Sequence, residues 1–356
     1  MRIYFYTSGC KVNQYETQLL REQLCAPGNE LTENIKEADI CVINSCTVTH
    51  KADADCRQVA RRALRDARPD AKIIVTGCYA AASAEEISKI SPNIIVCADK
   101  SKIRRHCEPP VVWECEAITK RDCRGLRPRK DIIHTFHAHS RAFVKIQDGC
   151  DAFCSYCIVP HVRPELWSKP EDVLFDEIEA LVKNGYSEVV LCGIRLGKWS
   201  SGGFGLTELV KNILARFENI KIHFSSLEIG EITDELLKIM AGTDRIVPHF
   251  HIPLQSGDND ILKKMKRPYT AEQFMKKLEK IYSEVPGVKI TTDVIAGFPG
   301  ESEKQFNNTA KFVKRCKFDK LHVFRYSPRR GTPASVMPGQ VNPAETARRA
   351  RLLLTR

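Results

Sequence analysis

The segment QDGCDAFCSYCIVPH (residues 147–161) contains three cysteines, Cys150, Cys154 and Cys157, in a C-x3-C-x2-C pattern. Three thiols this close together can hold a metal centre, although most protein-bound metals take four ligands. Three interpretations are open at this point. The thiols are unrelated reduced cysteines, or they bind zinc with His161 as the fourth ligand, or they hold a [4Fe–4S] cluster with three protein-bound irons.

The cysteine loop follows the first of six alternating strand and helix patterns. Strands are predicted at 142–148, 188–194, 221–228, 249–255, 289–297 and 320–327. Helices are predicted at 171–184, 205–216, 233–241, 258–265, 271–284 and 302–316. Six such units predict a full or partial (β/α) barrel, whose functional site lies at the C-terminal ends of its strands. The three cysteines lie at that end of the first strand.

The first hundred residues show a separate α/β pattern. Strands are predicted at 2–9, 38–45, 71–77 and 93–99, and helices at 14–24, 53–67 and 83–90. Continuous apolar strands alternating with helices predict an open parallel sheet that is covered on both faces. We therefore predict an N-terminal α/β domain at 1–112, a basic linker at 113–135 and a barrel domain at 136–356.

A second set of cysteines lies at the ends of three N-terminal strands. The runs IYFYTSGC, ICVINSC and IIVTGC end in Cys10, Cys46 and Cys78. One buried strand-end cysteine would be unremarkable, because cysteine is often buried. Parallel strands share one C-terminal edge, so we expect these three thiols to converge there. The pattern predicts a second three-thiolate cluster.

Composition restricts the class of protein. The chain has 356 residues, 15 cysteines and a formal net charge of +11. Its length and its start, MRIYFYTSGC, do not fit a secreted disulfide scaffold, and no apolar run reaches the length of a membrane span. We expect a soluble cytosolic protein whose basic surplus suits a polyanionic partner, nucleic acid first.

The cysteine pattern of the barrel, with Tyr156 directly before the last cysteine, resembles the radical S-adenosylmethionine (SAM) superfamily. In that superfamily the open iron of a [4Fe–4S] cluster chelates SAM, and an electron from the cluster releases a 5′-deoxyadenosyl radical. The stretch DVIAGFPGE (293–301) resembles the superfamily's glycine-bearing strand beside the adenine. The resemblance implies a SAM pocket that includes Tyr156, Cys192, Gly193, Glu228, Gln255 and Gly297.

The two cysteine trios together resemble the methylthiotransferase family over essentially all of the chain. The stretches TSGCKVNQYETQ (7–18), NSCTVTHKADADCRQ (44–58) and VTGCYA (75–80) look like the tRNA N6-threonylcarbamoyladenosine methylthiotransferases, the MtaB-like group. The resemblance implies conversion of C2–H to C2–S–CH3 on adenosine 37 of the tRNA anticodon stem-loop. It implies two [4Fe–4S] clusters and SAM, with one SAM methylating a sulfur on the N-terminal cluster and a second supplying the radical.

The implied partners are tRNA, an electron donor such as flavodoxin or ferredoxin, and a sulfur source, with no membrane. Candidate RNA contacts are Arg57, Arg61 and Arg65, which recur on one helix face with Arg68, and Arg163 and Lys169 after the cysteine loop. A solvated helix face explains the arginines equally well. Three alternatives remain: an isopentenyladenosine tRNA substrate, a ribosomal-protein side chain as substrate, or a zinc-containing RNA-binding protein without catalysis.

Three features depart from the family pattern or stay open. The loop VRPELWSKP (162–170) replaces the family's usual Arg-Gly and Ser-Arg-rich segment. Family members normally continue into a small RNA-binding β-barrel, the TRAM domain, and because this chain stops at ARRARLLLTR we expect none in it. Cys107, Cys115 and Cys123 are evenly spaced across the linker, and an additional metal site there is an open alternative.

Overall fold

The computed structural model describes residues 1–25, 29–103, 107, 132–137 and 139–355. These residues form two compact units, which are described separately. The first unit comprises Met1–Ser140 and Pro170–Gly185, and the second comprises Arg141–Lys169 and Tyr186–Arg356. The predicted boundaries stay predictions, because most of the linker lies outside the described residues. Within the described part of the chain, no helix combines the length and apolar composition that a membrane crossing needs.

The first unit is built on a parallel sheet of five strands in the order β2-β1-β3-β4-β5. These strands are β1 (Arg2–Thr7), β2 (Glu30–Leu31), β3 (Ile40–Ser45), β4 (Lys72–Gly77) and β5 (Ile94–Val96). The predicted open parallel sheet is confirmed, and the two-residue β2 adds an edge strand. The helices of this unit are Lys11–Leu24, His50–Asp66, Cys78–Ala82, Ala84–Ser88 and Glu171–Lys183.

Burial of both sheet faces explains why the strands of the first unit read as continuous apolar runs. On β3, Ile40 and Val42 pack into one hydrophobic cluster, while Cys41 and Ile43 pack into the cluster on the opposite face. Helix Glu171–Lys183 belongs to this unit although it follows the first barrel strand in the chain. Its Glu177 is fully buried and accepts a 2.7 Å hydrogen bond from the Tyr15 hydroxyl.

The second unit is a partial barrel of six parallel strands. They are β6 (Ala142–Lys145), β9 (Glu188–Cys192), β12 (Lys221–Phe224), β13 (His249–His251), β14 (Lys289–Ala296) and β15 (Lys320–Arg325). Strands β6, β9 and β12 form one parallel sheet, and β13, β14 and β15 form another. Parallel bridges at Ile222↔Ile246 and Ser226↔His251 join the two. The strands therefore follow one another in chain order, as the sequence predicts.

Two short antiparallel ladders complete the second unit. Strands β7 (Gln147–Asp148) and β8 (Trp167–Ser168) pair on either side of the cysteine loop, and β10 (Ser200–Ser201) pairs with β11 (Phe204–Gly205). The predicted strand at 142–148 is thus divided between β6 and β7. The helices are Val159–Val162, Leu206–Arg216, Asp234–Ala241, Asn259–Lys264, Ala271–Glu284, Glu303–Cys316 and Pro343–Leu354.

The helices that cover the barrel begin where the sequence supplies capping side chains. The Thr270 hydroxyl accepts a hydrogen bond from the backbone amide of Gln273, and the side-chain Oε1 of Gln273 accepts one from the backbone amide of Thr270. Such a reciprocal pair satisfies two backbone donors at a helix start. The helix that follows buries Phe274, Leu278 and Ile281, which recur at helical spacing on one face.

Candidate metal centres and cofactor site

The first cysteine trio lies at the C-terminal edge of three adjacent strands, β1, β3 and β4. Cys10 precedes helix Lys11–Leu24, Cys46 directly follows β3, and Cys78 is the first residue of helix Cys78–Ala82. The neighbouring Cys78 and Cys10 both raise the pKa of Cys46, so the structure brings the three thiols together. A sheet edge where parallel strands end is where ligand sites collect in open α/β folds.

Short hydrogen bonds fix the loops that carry Cys10 and Cys46. The hydroxyl of Ser8 accepts a 3.2 Å bond from the Cys46 amide. The Asn13 side chain is fully buried and donates to the carbonyl oxygens of Ser8 at 2.9 Å and Ser45 at 3.2 Å. Between them Gly9 has a φ of +108°, and a Cβ there would lie 2.6 Å from the Cβ of Cys46. Only glycine lets the two loops approach this closely.

The chemistry of this trio fits a metal cluster. Burial is the main cause that raises the pKa of Cys46 to about 11. A thiolate there needs compensation by positive charge or hydrogen bonds, and a bound metal supplies the charge. The backbone amide of Val48 already points at the Cys46 sulfur, with an N–S distance of 3.5 Å. Three clustered thiols with an amide donor fit an iron–sulfur centre held by three protein ligands.

The second trio lies in the loop after β7, at the C-terminal end of the barrel strands. Gln147, which is 1% exposed, holds the start of this loop. Its amide donates to the carbonyl of Gly149 at 2.9 Å, and its Oε1 accepts from the Arg195 amide at 2.6 Å. The Cys150 amide donates to the carbonyl of Arg163 at 3.2 Å. Gln147 is a positioning residue that the sequence analysis did not single out.

The thiols of the second trio influence one another as those of the first do. Burial chiefly raises the pKa of Cys157 to about 12, and the neighbouring Cys154 and Cys150 raise it further. Burial also raises the pKa of Cys150, whereas the Arg195 guanidinium lowers it. The Ala152 amide donates to the Cys150 sulfur across 3.5 Å. The donor set again fits a cluster with three thiolate ligands.

Arg267 is a functional candidate that the sequence analysis missed. Its side chain is 3% exposed and forms an ion pair with Glu228. Its Nη1 donates to the Cys154 sulfur at 3.5 Å, and its guanidinium carbon lies 5.0 Å from the ring centre of Tyr269. A cation held against a thiolate ligand stabilises added negative charge on a cluster. In the sequence, Arg267 ends the basic run KKMKR (263–267), which is typical of a solvated surface.

The six residues predicted to line a SAM pocket all lie at or just beyond the C-terminal ends of barrel strands. Cys192 is the last residue of β9, and a Cβ on the next residue, Gly193, would lie 2.9 Å from the Gln147 Cβ. Glu228 accepts from Arg267. Their role in SAM binding stays a prediction.

The remaining three of the six, Tyr156, Gln255 and Gly297, lie beside the end of β14. The Gln255 carbonyl accepts a 2.9 Å bond from the Ile295 amide, and Gly297 directly follows β14 with a φ of +76°. Tyr156 packs against the hydrophobic cluster that contains Ile295 and Phe298. Their role in SAM binding likewise stays a prediction.

The residues predicted to contact RNA differ in their exposure and in their side-chain partners. Arg57 donates to the Tyr79 hydroxyl at 2.7 Å, Arg65 pairs with Asp66 at 2.7 Å, and Arg61 is exposed. Arg61 and Arg65 are thus accessible charges, and their contact with RNA stays a prediction.

Arg163 and Lys169 differ from Arg61 and Arg65 in that their side chains are largely buried. The Arg163 side chain is 8% exposed and pairs with Asp148 at 2.8 Å. Lys169 is 2% exposed, and its amide donates to the carbonyl of Ile146. Trp167 and Ser168 of the same loop form strand β8, which pairs with β7. Contact of Arg163 and Lys169 with RNA stays a prediction.

Two further predictions concern possible metal ligands. His161 is exposed and packs edge-on against Phe153, with ring centres 6.0 Å apart. Cys107 is buried in a hydrophobic cluster of the first unit. Cys115 and Cys123, like the basic stretch KRDCRGLRPRK (120–130), lie outside the described residues.

Models of known families match both parts of the chain. The model described as "Uncharacterized protein family UPF0004" matches residues 2–98, and the "Radical SAM superfamily" model matches residues 144–313. Among solved structures, TsrM, a radical S-adenosylmethionine methyltransferase from Kitasatospora setae, matches with a TM-score of 0.64 at 12% identity. That match covers 94% of this chain and 77% of TsrM. At this identity the likeness shows the fold alone.

Curated relatives match along nearly the whole chain. Threonylcarbamoyladenosine tRNA methylthiotransferase MtaB of Bacillus subtilis is 40% identical over 349 residues, which are 95% of this chain and 76% of the relative. MtaB of Thermotoga maritima is 34% identical, over 97% of this chain and 79% of its own. A tRNA-2-methylthio-N(6)-dimethylallyladenosine synthase of Cereibacter sphaeroides is 33% identical, over 98% and 81%. The chain therefore belongs to the methylthiotransferase family of radical S-adenosylmethionine enzymes.

Proposed function

We propose that this enzyme converts N6-threonylcarbamoyladenosine at position 37 of tRNA to its 2-methylthio derivative. The observation that carries the proposal is the pair of three-thiol sites, Cys10, Cys46 and Cys78 in the first unit and Cys150, Cys154 and Cys157 in the second. A methylthio transfer has two requirements, a radical at an unactivated C–H bond and a sulfur to deliver. Two cluster sites, each one ligand short of four, match these two requirements.

The chain's own residues hold the two proposed cofactors in place. When bound by Cys150, Cys154 and Cys157, a [4Fe–4S] cluster with SAM supplies the radical chemistry that acid–base side chains cannot provide. Gln147 fixes the loop, and Arg267 donates to the Cys154 sulfur from a buried position. In the first unit, Cys10, Cys46 and Cys78 would hold a second [4Fe–4S] cluster as the sulfur-carrying site.

The relatives support threonylcarbamoyladenosine as the substrate. The relatives at 34–40% identity from Bacillus subtilis and Thermotoga maritima carry that nucleoside in their names. The net charge of +11 suits a tRNA partner, because lysine and arginine contacts to phosphates dominate affinity for nucleic acids. A second candidate is dimethylallyladenosine, which the 33% identical relatives from Cereibacter sphaeroides name. The higher identity favours the first.

The remaining partners follow from the chemistry. Reductive radical generation needs an external electron donor, for which we propose a flavodoxin or ferredoxin. Each turnover consumes a sulfur atom, so a sulfur source must restore the N-terminal site. We propose that the enzyme works in the cytoplasm, where its tRNA substrate is found.

Mass spectrometry of tRNA nucleosides tests the proposal. A strain that lacks the gene should accumulate N6-threonylcarbamoyladenosine without the methylthio group. Wild-type protein and the matched control C25S, whose thiol is exposed and outside both trios, should restore the methylthio derivative. C46A and C154A should not restore it. Loss of the methylthio group from dimethylallyladenosine instead would identify the second candidate as the substrate, and unchanged tRNA would reject both.

A further inference from the structure

The partial barrel has a polar inner face that the proposed reaction does not use. Along β12 to β15, the side chains that are fully buried are apolar or hydroxylic, among them Ile222, Phe250 and Ile290. The residues that alternate with them are only partly buried, and they are polar: His223, His249, His251, Thr291, Asp293 and His322. Side chains alternate between the two faces of a strand, so these polar residues share the inner face of the barrel.

Three of these polar side chains converge on one point. The Nε2 of His251 lies 3.1 Å from Oδ2 of Asp293, and the Nδ1 of His322 lies 3.3 Å from Oδ1 of the same carboxylate. One ligand atom from each of the three lies within 4.8 Å of the others. Ligands placed about 2.1 Å from one metal ion at right angles are about 3.0 Å apart, so small rotations would bring this set around a cation.

One oxygen of the Asp293 carboxylate can still accept a hydrogen bond or bind a cation. Its Oδ1 is buried and accepts no hydrogen bond within the described residues, although His322 is nearby. A buried carboxylate oxygen without a donor is costly, and a cation at that position would remove the cost. The side chain of His322 is 40% exposed and that of Asp293 is 21% exposed, so the site is accessible from solvent.

A hydrogen-bonded chain supports His251 from behind, as is usual for a metal-binding histidine. Its Nδ1 lies 3.0 Å from the Thr291 hydroxyl, which lies 3.2 Å from Nε2 of His249. The Nδ1 of His249 lies 3.0 Å from Nε2 of His223, whose Nδ1 lies 3.2 Å from both Glu188 and the guanidinium Nη1 of Arg141. The hydroxyl oxygen of Thr291 has two lone pairs and can accept from both His249 and His251, an arrangement that leaves Nε2 of His251 unprotonated and aimed at Asp293.

We infer that His251, Asp293 and His322 form a binding site for a divalent first-row transition-metal cation. Two imidazoles and one carboxylate suit Mn2+, Fe2+, Co2+ or Zn2+, and three protein ligands leave positions open for water or an oxygen ligand. The competing arrangement places a proton on Nε2 of His251, which then donates to Asp293, and holds no cation. The inference uses only residues of the second unit and does not rest on the proposed function.

Titration of the anaerobically prepared holoenzyme with Mn2+, followed by the loss of the free-ion EPR signal, tests the site. The wild type should take up one Mn2+ per chain with saturation. D293N and H322Q should weaken that binding at least tenfold. H134Q is the matched control, because His134 makes a similar 3.0 Å contact with Glu22 and no third ligand joins them among the described residues, so this variant should bind like the wild type. Absence of a saturable site in the wild type, or unchanged binding in both variants, would overturn the inference.

A second measurement needs no substitution and remains valid if a variant folds poorly. Pulsed EPR of Mn2+ bound to the wild-type holoenzyme should show nitrogen couplings from two imidazoles. An environment of oxygen ligands only would place the ion elsewhere and contradict the site.

Discussion

At the scale of single residues, Arg267 links the cysteine loop to the segment that follows β12. It contacts Cys154 and Glu228, which are 113 and 39 positions away in the sequence. Burial lowers the pKa of a guanidinium, but the negative groups around Arg267 raise it above its usual value, so the side chain is charged at any working pH. We therefore expect it to act on the cluster as a fixed positive charge.

Replacement of Arg267 should change the reduction potential of the cluster at Cys150, Cys154 and Cys157. R267Q removes a positive donor from the Cys154 sulfur, so the more negative reduced state loses stabilisation and the potential should fall. The expected change is roughly 60 mV, the one-electron equivalent of about 1.4 kcal/mol. Redox titration followed by EPR measures it. R315Q, on the exposed surface of helix Glu303–Cys316, is the control for loss of charge. A potential that is equal in all three proteins would show that Arg267 has a structural role only.

The cysteines could be found from the sequence, whereas their supporting residues could not. Cysteine spacing within a loop and cysteines at strand ends are local signals. The approach of Arg267 to Cys154 depends on tertiary folding, and the sequence around Arg267 does not indicate it. The burial of Arg163 depends on tertiary folding in the same way, because its side chain pairs with Asp148, 15 positions earlier in the chain. Gln147 gave no such local signal, because Lys145 and Asp148 in the same stretch are polar too.

At the scale of elements, the turns that follow the strands determine where the thiols meet. The apolar runs of the strands and the capping residues of the helices predicted most elements, because both are local properties of the sequence. The turn after β4 was not predicted: Gly77, with a φ of +90°, leads directly into a helix that begins at Cys78. The chain there also forms two short helices where one was predicted at 83–90.

Substitution of Gly9 should disrupt the N-terminal cluster site alone. In G9A the new Cβ would meet Cys46 at 2.6 Å, and the φ of +108° disfavours any side chain. Iron content after anaerobic reconstitution should fall from about eight to about four per chain, while the second cluster stays. G205A is the control, since a Cβ at Gly205 meets no atom within 4 Å. A full iron content in G9A would contradict the assigned role of this turn.

Helix Pro343–Leu354 is fastened to the barrel by a buried ion pair. Arg349 donates to Oε2 of Glu301 at 2.9 Å, and the side chains are 6% and 1% exposed. The same carboxylate oxygen accepts from the Gly297 amide at 2.9 Å. Burial raises the pKa of Glu301, although Arg349 and the Gly297 amide act in the opposite direction. The pair therefore joins the helix to the glycine beside the predicted SAM pocket.

Removal of Arg349 should destabilise the second unit. R349M leaves the Glu301 carboxylate buried without its cation, which costs about 3–5 kcal/mol of unfolding free energy. The double variant E301Q/R349M removes the uncompensated charge and should recover part of that loss. Urea unfolding followed by circular dichroism compares the two. A loss below about 1 kcal/mol in R349M would show that the pair contributes little.

At the scale of the whole molecule, two units that differ in architecture carry the same incomplete ligand set. An open parallel sheet brings together thiols that are distant in sequence, and a barrel loop brings together thiols that are adjacent in it. Each site has three cysteines, and in each the two others add to the effect of burial in raising the pKa of one thiol, Cys46 in the first unit and Cys157 in the second. This repetition is what supports two clusters, each with an open iron, and it underlies the proposed division of labour between sulfur and radical chemistry.

Iron analysis with EPR of the anaerobically reconstituted protein tests this central claim most directly. The wild type should hold about eight irons per chain in two four-iron clusters. The triple variants C10A/C46A/C78A and C150A/C154A/C157A should each hold about four, and SAM should alter the EPR signal only where the barrel cysteines are intact. Stoichiometric zinc in place of iron, or an iron content that either triple variant leaves unchanged, would contradict the account.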